Sequence, residues 1–539
     1  MTLHNESTPK PRKVFLAGAL GAAGTLAILT VLSRVFGLFR KLSQSWAVSD
    51  GAVATAYDTA NTVPNVLFEV AAGGALAGAV IPLISRYLVQ KNQRAVDQLA
   101  SALLNWVLLI GIPVALFVVL TAKPIALLLF GAEADPQILA LATMLLRLFA
   151  VQVPLYGISV VLTGILQVNN RFIMPALAPL FSSLAIIGMF YVYAQLYEHS
   201  ASPSEIGMPG SLLLGLGTSF GVLLFALPQF IPARKLFQYH FTLKFPDDTK
   251  KDALKLSGAG LAALFAQQIA IFAVMYFANH FGGVGTFTTY SYAFAIFMVP
   301  YGVLAVPVAT VLFPKISRAQ SAGDFVLATE LVAKSTRIVF IMGAASACLL
   351  YALADSAKLV LELGRDIEAL ELAMQFLAPA LVGYSVLYHG ARVFYALGHP
   401  RRVIITNSVA WTAVIGSLLI SALFGETGRE YALQAIGISF TVGLTIGLIV
   451  HIFNVQKVLG SPGNQGVLVT FVFSIFVFPL FAIIGEGIST KIFSVLGETI
   501  SAALLNAGVI ALVILVLAGA ITIFTERFFG KSSQSRENE

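Results

Sequence analysis

Ile81-Pro82-Leu83-Ile84-Ser85-Arg86 returns roughly 230 residues later as Phe313-Pro314-Lys315-Ile316-Ser317-Arg318. Each copy closes a long apolar run with a proline and then a polar, basic turn. A second pair of breaks keeps a similar offset: Gln167 to Arg171 ahead of Pro175, and Tyr395 to His399 ahead of Pro400. Two similar offsets, each joining helix ends of the same kind, point to duplication of a unit of six apolar runs. An even number of crossings returns the chain to its starting side. The two copies therefore run parallel, related by an axis along the membrane normal.

Composition sets the solvent. Of 539 residues, 58% are hydrophobic and 11% charged, against roughly 25% charged in a soluble chain. A mean hydropathy of +0.87 over the whole length cannot be hidden in an aqueous core. Apolar runs of about 20 residues, enough to cross a bilayer as helix, number about fourteen. They lie near 14–46, 56–88, 99–122, 137–168, 174–196, 210–236, 253–281, 288–314, 326–352, 368–396, 403–424, 431–455, 467–489 and 501–525. The expected fold is an all-α polytopic membrane protein of about fourteen transmembrane helices. Residues 1–13 form a tail, 14–238 and 239–457 two parallel six-helix lobes, 458–525 two further helices, and 526–539 a second, disordered tail. Lys10 to Lys13 ahead of an apolar run has the look of a signal peptide, but the run continues past Ser33-Arg34, so it reads as the first span.

Basic residues alternate from loop to loop. One side holds about twenty, including Arg86, Lys91, Arg94, Arg234, Lys235, Arg401 and Arg402; the other holds about five, among them Lys358 and Arg429, mixed with acids such as Asp50 and Glu205. The positive-inside rule puts both termini in the cytoplasm. The net charge of +7 is then a property of loops and gives no reason to expect nucleic acid. A single cysteine, Cys348, excludes a disulfide framework or cysteine zinc site, and the seven histidines show no metal-ligand spacing. No cofactor or metal is expected.

Ionisable groups at membrane depth cost roughly 2.5–3.5 kcal/mol each on insertion scales and persist where they meet water, a partner or a substrate. They concentrate in the first two runs. Arg34 and Lys41 fall about 20° apart on one helix face and Arg40 about 120° away, unless Gly37 bends the helix. Asp58, Thr62, Asn65 and Glu69 form a polar stripe broken by Pro64, and Gly73 and Gly74 beyond it permit close backbone approach. Two readings stand side by side. The bases neutralise the acids in a structural network, or they line a positive cavity for an anionic substrate, guanidinium being a natural fork for pyrophosphate. Arg392 adds a further base in the tenth run, Lys334 and Arg337 read as snorkelling to the interface, and His389 is uncommitted.

Ser33-Arg34-Val35-Phe36-Gly37-Leu38-Phe39-Arg40, Pro64-Asn65-Val66-Leu67 and Gly74 to Pro82 resemble the opening of the MurJ/MviN family. Asn170-Arg171-Phe172-Ile173-Met174-Pro175, then Pro300 to Val306 running to Phe313-Pro314, and Phe394-Tyr395-Ala396 before Pro400 follow in that family's order. The resemblance implies a flippase, not an enzyme. It implies that lipid II, the undecaprenyl-pyrophosphate-linked peptidoglycan precursor, passes from inner to outer leaflet of a bacterial plasma membrane; with two lobes facing each other, alternating access is the expected mechanism. It implies a cationic cavity between the lobes and a groove for the lipid tail at the last two helices, with membrane lipids and cell-wall synthesis or division proteins as further partners. Arg34 and Arg40 match basic cavity positions, and Lys41 and Arg392 are placed with them as head-group ligands; Asp58 and Glu69 serve as counter-charges. The chain departs from the pattern at Phe68-Glu69, usually basic, at Gly73 and Lys41, usually acidic, at Ala295, usually arginine, and at Thr55, where the acid is displaced to Asp58. The cavity is therefore expected to be less basic than the family's common form.

Three rivals are open to the sequence. One is an ion-coupled multidrug exporter, or an exporter of another polyprenyl-linked oligosaccharide, of the same superfamily; an organic cation favours an acidic cavity, opposite to the balance in runs one and two. A polyprenyl-phosphate glycosyltransferase needs acidic metal ligands in a substantial loop, and none is evident. A non-transporting scaffold for cell-wall synthesis has no use for the buried charges.

Overall fold

The structure is a computed structural model that describes residues 29, 32–71, 80–246, 264–362 and 366–534. Every regular element among these residues is helical. Helix α1 covers 32–48 and turns at Ser49 into α2 (Ala52–Ala71). There follow α3 (Ile81–Val89), α4 (Gln93–Phe130), α5 (Pro136–Phe149), α6 (Gln152–Val168), α7 (Ile173–Leu196) and α8 (Pro203–Ala233). After 246 come α9 (Leu264–Gly282), α10 (Thr286–Pro300), α11 (Val306–Ser321), α12 (Phe325–Ala352), α13 (Ala354–Glu362), α14 (Leu370–Leu377), α15 (Ala380–Ala396), α16 (Pro400–Leu423) and α17 (Arg429–Leu459). The last two are α18 (Val467–Leu496) and α19 (Ile500–Gln534).

Among the described residues, 11 helical segments are long and apolar enough to cross a membrane, or 12 with α14 and α15, bent by 51°, taken as one. Each falls on one of the expected apolar runs. The two other expected runs fall on α1 and on α2 with α3, helical as far as they are described. The protein is a multi-spanning membrane protein. Gly73 and Gly74 lie outside the described residues, as do residues 1–28, including the expected first tail.

The duplication is written into the helix ends. α3 and α11 each close on a left-handed residue, Lys91 (φ 53°) and Gly323 (φ 76°). The next amide then reaches back over the helix end, Asn92 N to Tyr87 O and Asp324 N to Ala319 O, each at 3.0 Å. The same two residues cap the following helices: Asn92 Oδ1 accepts from Ala95 N at 3.1 Å, and Asp324 Oδ1 from Leu327 N at 3.0 Å. Such ends satisfy carbonyls and amides that a helix otherwise leaves bare. α6 and α15 repeat the closure with Asn170 (φ 57°) and Gly398 (φ 77°), and with Arg171 N to Leu166 O and His399 N to Phe394 O, both 2.8 Å. The breaks also correspond. α5 stops at Phe149 and α14 at Leu377; α6 starts at Gln152 and α15 at Ala380; the latter pair end at Val168 and Ala396. A constant offset of 228 residues runs through all three pairs.

Packing follows small residues, as it must where lipid removes the hydrophobic drive between helices. α7 lies along α8 and α16 along α17. Gly217 of α8 lies against Met189, and Gly443 and Gly447 of α17 against Ala410 and Val414 of α16. Helices α18 and α19 pack on α12 and α13 and on each other, joined by Asn506 Nδ2 donating to Ser356 Oγ and Ser489 Oγ, both at 2.8 Å. Two expectations are corrected here. Arg337 is buried rather than snorkelling: it donates to Glu526 Oε1 at 3.1 and 2.8 Å and to Gln465 O at 2.7 Å. That bridge holds Glu526, and α19 runs on to Gln534, so the segment expected to be disordered is helical as far as that residue.

A methyl group on Gly443 would lie 2.6 Å from Val414 N and 2.7 Å from Ala410 O, backbone atoms that cannot rotate aside. Gly443→Ala is expected to destabilise by about 1–3 kcal/mol, seen as a lowered thermal midpoint in detergent. Gly416→Ala, with nothing within 4 Å, is expected to leave that midpoint unchanged or raised.

Candidate functional site

Lys41 is the centre of the first cluster. Its ammonium has three donors, and all three are taken: Asp58 Oδ1 at 3.0 Å, Gln44 Oε1 at 3.0 Å and Ser291 Oγ of α10 at 2.7 Å. Gln44 Nε2 returns to Asp58 Oδ2 at 2.8 Å, and the Tyr292 ring lies 5.4 Å from the ammonium. Asp58 is 5% exposed and Lys41 16%. Here the network reading of the sequence applies: Lys41 has no donor left for a head group, so its expected role as a ligand does not fit this conformation. The polar stripe is also spent locally. Thr62 Oγ1 donates to the Asp58 carbonyl at 2.8 Å, and Asn65 Oδ1 accepts from Tyr156 OH at 2.9 Å.

The other bases are different. The guanidinium groups of Arg34, exposed, and Arg40, half-buried, make no hydrogen bond or ion pair among the described residues. Arg34 rests against Gly302, whose added Cβ would come within 3.1 Å of Arg34 Nη1. Gly302 belongs to a π-helical turn, Tyr301–Ala305, between α10 and α11. Tyr301, beside Gly302, lies edge-on to Tyr384 at 4.9 Å and to Tyr388, the partner of Arg392, at 5.5 Å, while Asn65 and Phe68, on the α2 turn that carries Glu69, meet Tyr156. These groups thus share one region between α1–α2 and α10–α15. Arg392 donates to Thr310 Oγ1 at 2.6 Å and to Tyr388 OH, and stacks over the Tyr388 ring at 4.5 Å. Glu69 is exposed. Three arginines against one carboxylate leave the region positive.

Gly37 and Pro64 do not break their helices: α1 runs through Gly37 with nothing within 4 Å of an added Cβ, and α2 continues past Pro64 to Ala71. The family departures find uses. Phe68 packs on Tyr156 with ring centroids 4.5 Å apart, and Thr55 Oγ1 accepts from Gly285 N at 2.8 Å.

That last bond belongs to a tie at one end of the molecule. Arg429, at the start of α17, pairs with Asp50 of the α1–α2 turn and with Glu368 at 3.2 Å, and donates to Val284 O at 2.6 Å. Gly285 (φ 88°) leaves room for it; a Cβ there would sit 2.2 Å from Arg429 Nη2. Ser45 Oγ donates to Leu361 O at 2.5 Å, Tyr292 OH to Ser49 O at 2.7 Å, and Asn279 Nδ2 to Thr59 Oγ1 at 3.2 Å. The α1–α2 hairpin is thereby stitched to the later helices above Arg40.

The family model described as lipid II flippase MurJ matches residues 46–500. The chain belongs to the MurJ family. A probable lipid II flippase MurJ of Buchnera aphidicola subsp. Acyrthosiphon pisum (strain APS) is 24% identical over 344 residues, 62% of this chain and 64% of that protein. The lipid II flippase MurJ of Burkholderia cenocepacia is 26% identical over 336 residues, 61% of this chain and 62% of that one. The matched stretch is thus just under two thirds of the length of these relatives. A solved structure, "Lipid II flippase MurJ, inward closed conformation", superposes with a TM-score of 0.68 at 19% identity, covering 93% of this chain and 99% of that one. An inward-facing multidrug resistance MATE transporter of the MOP superfamily gives 0.64 at 16% identity, over 81% and 99%. Both likenesses are of fold. Arg34, Arg40 and Lys41 precede the part of the chain that the MurJ family model matches.

Sequence reasoning missed Gln44, Ser291 and the tyrosines 156, 384 and 388. Gln44, three residues after Lys41, was findable as a same-face partner; the tyrosines carry no signal in a chain where aromatics are plentiful. Asp58→Asn is expected to strand the Lys41 charge and cost about 3–5 kcal/mol, read as a fall in thermal midpoint. Adding Lys41→Met to Asp58→Asn removes the stranded charge and is expected to recover most of the loss.

Proposed function

We propose that the protein flips lipid II from the inner to the outer leaflet of a bacterial plasma membrane by alternating access. One observation carries this reading: at the π turn, a guanidinium unpaired among the described residues and an apolar cavity lie side by side. Gly302 abuts Arg34, while Val303 and Leu304 line a cavity of about 410 Å³ with Leu38 and Leu42 of α1 and Leu515 of α19. A polyprenyl pyrophosphate has two such parts, an anion and a hydrocarbon chain. Arg34, Arg40 and Arg392 take the pyrophosphate through charge-assisted hydrogen bonds, and the chain leaves along the groove beside α19. An organic cation fits less well where three arginines face one carboxylate.

In this reading α1–α8 and α9–α17 are the two lobes, and the basic turns and both termini face the cytoplasm. The end tied by Arg429 faces the periplasm, so the conformation is closed outward. Lys41 is then a latch. Its bond to Ser291 breaks as α10 moves away, freeing a donor for the head group. The protein acts as a transporter, with no bond made or broken in the lipid; its named relatives are flippases.

Depleting the protein in its native cell is expected to accumulate lipid II on the cytoplasmic leaflet, measured with a leaflet-specific probe. A wild-type copy is expected to reverse this, and Arg34→Ala or Arg40→Ala to fail. Unchanged leaflet distribution on depletion, in a cell with no second flippase, would refute the reading. Arg429→Ala is expected to loosen the tied end. Labelling of a cysteine placed at Thr62, whose hydroxyl bonds only its own helix among the described residues, by a membrane-impermeant thiol reagent added outside should rise several-fold over the same cysteine with Arg429 intact.

A further inference from the structure

Two histidines lie deep in the later helices, apart from every contact described so far. His389 of α15 and His451 of α17 are each 1% exposed. Among the described residues, neither ring nitrogen of His451 has a hydrogen-bond partner, nor has Nδ1 of His389. His389 Nε2 stands 3.0 Å from Ser335 Oγ of α12, and that hydroxyl also stands 3.0 Å from Val332 O. Ser335 owns one proton, and a carbonyl can only accept it. When Val332 receives that proton, His389 donates from Nε2, and its Nδ1 is left a bare lone pair in the interior. The two residues lie close along α15. His451 packs on α15 at Gly390, the residue after His389, where an added Cβ would lie 2.4 Å from His451 Nδ1. Phe394 closes the site edge-on at 5.3 Å. Buried polar atoms without partners cost about 1–3 kcal/mol each, so three unmatched ring nitrogens in one place ask for a further species.

The surrounding charges decide which. Burial disfavours charge on either ring, and no carboxylate bonds to either among the described residues; the charged residue nearest His389 along the chain is Arg392, one turn further along α15. From α16, Arg402 holds Asn454, one turn beyond His451, at 2.7 Å. From α12, Lys334 and Arg337 flank Ser335 and are both held by Glu526. From α11, Thr310 accepts from Arg392, and from the π turn the Tyr301 ring lies edge-on to Tyr388, the ring under Arg392, at 5.5 Å. An imidazolium at His389 and a bare guanidinium at Arg392 repel. An anion on Arg392 cancels that repulsion, so anion binding and proton binding each strengthen the other by the same factor.

We propose that the His389–His451 pair is a proton-binding site, filled when an anionic head group occupies Arg392, so that a proton moves with the substrate. The proposal rests on the part given to Arg392 in the head-group reading above. The test is calorimetry on the full chain in detergent, titrated with a diester pyrophosphate bearing a short isoprenoid chain and a sugar. This probe has no ionisation near neutrality, so heats that vary with the ionisation enthalpy of the buffer report protons taken up by the protein. Wild type is expected to take up as much as about one proton per probe bound, and the His389→Gln, His451→Gln double variant to lose that uptake while still binding. Ring ¹⁵N spectra of the histidine-labelled wild-type chain give a second readout that needs no variant: imidazolium signals that emerge with the probe support the site, and rings that stay neutral overturn it. Binding without proton uptake overturns the proton site and leaves the head-group reading intact, as does uptake unchanged in the double variant. Failure of wild type to bind the probe overturns both.

Discussion

A lysine ammonium at membrane depth is tolerated only when its charge and all three donors are met, and the Lys41–Asp58 pair meets them with help from Gln44 and Ser291. Much else is arranged around that requirement. Asp58 and Lys41 fix the register of α1 against α2, and the reach to Ser291 brings α10 onto both. Once α10 is there, Tyr292 can bond Ser49 and Gly285 can bond Thr55. The same placement carries the π turn alongside Arg34. A neutral pair in the middle thus positions the unneutralised bases on either side of it.

The helical fold could be read from the sequence because lipid imposes a simple rule: about 20 apolar residues in a row make a span. The duplicated turns were visible as Pro-Leu-Ile-Ser-Arg and Pro-Lys-Ile-Ser-Arg because helix ends depend on local chemistry, such as a left-handed residue followed by Asn92 or Asp324. The partnering of charges was less accessible. Arg34, Arg40 and Lys41 look alike in sequence, and it takes the approach of Ser291, some 250 residues on, to complete the shell of Lys41, while the two arginines have no such partner among the described residues. Arg337 was misread for the same reason: a base near a helix end snorkels by default, and Glu526 is far along the chain.

Duplication supplied the frame but not the chemistry. At the offset that relates Asn92 to Asp324, the positions matching Arg34, Arg40, Lys41 and Asp58 are Ala266, Phe272, Ala273 and Tyr290. One copy keeps charge at the centre; the other presents small and aromatic residues. Tyr290 is buried beside Phe294 and Phe440, a packing contact where its counterpart makes an ion pair. The asymmetry places the positive field on one side of the interface, with Arg392 as the main contribution from the opposite side.

Arg429 touches three separate turns, at Asp50, Val284 and Glu368. A side chain shared among three loops cannot release one of them by degrees, since withdrawing the guanidinium from any strips the geometry on which the others depend. Opening at that end is therefore cooperative, with tied and untied states and little between them. If the protein passes a bulky anion as proposed, while holding back small ions, such all-or-none behaviour is itself a form of insulation.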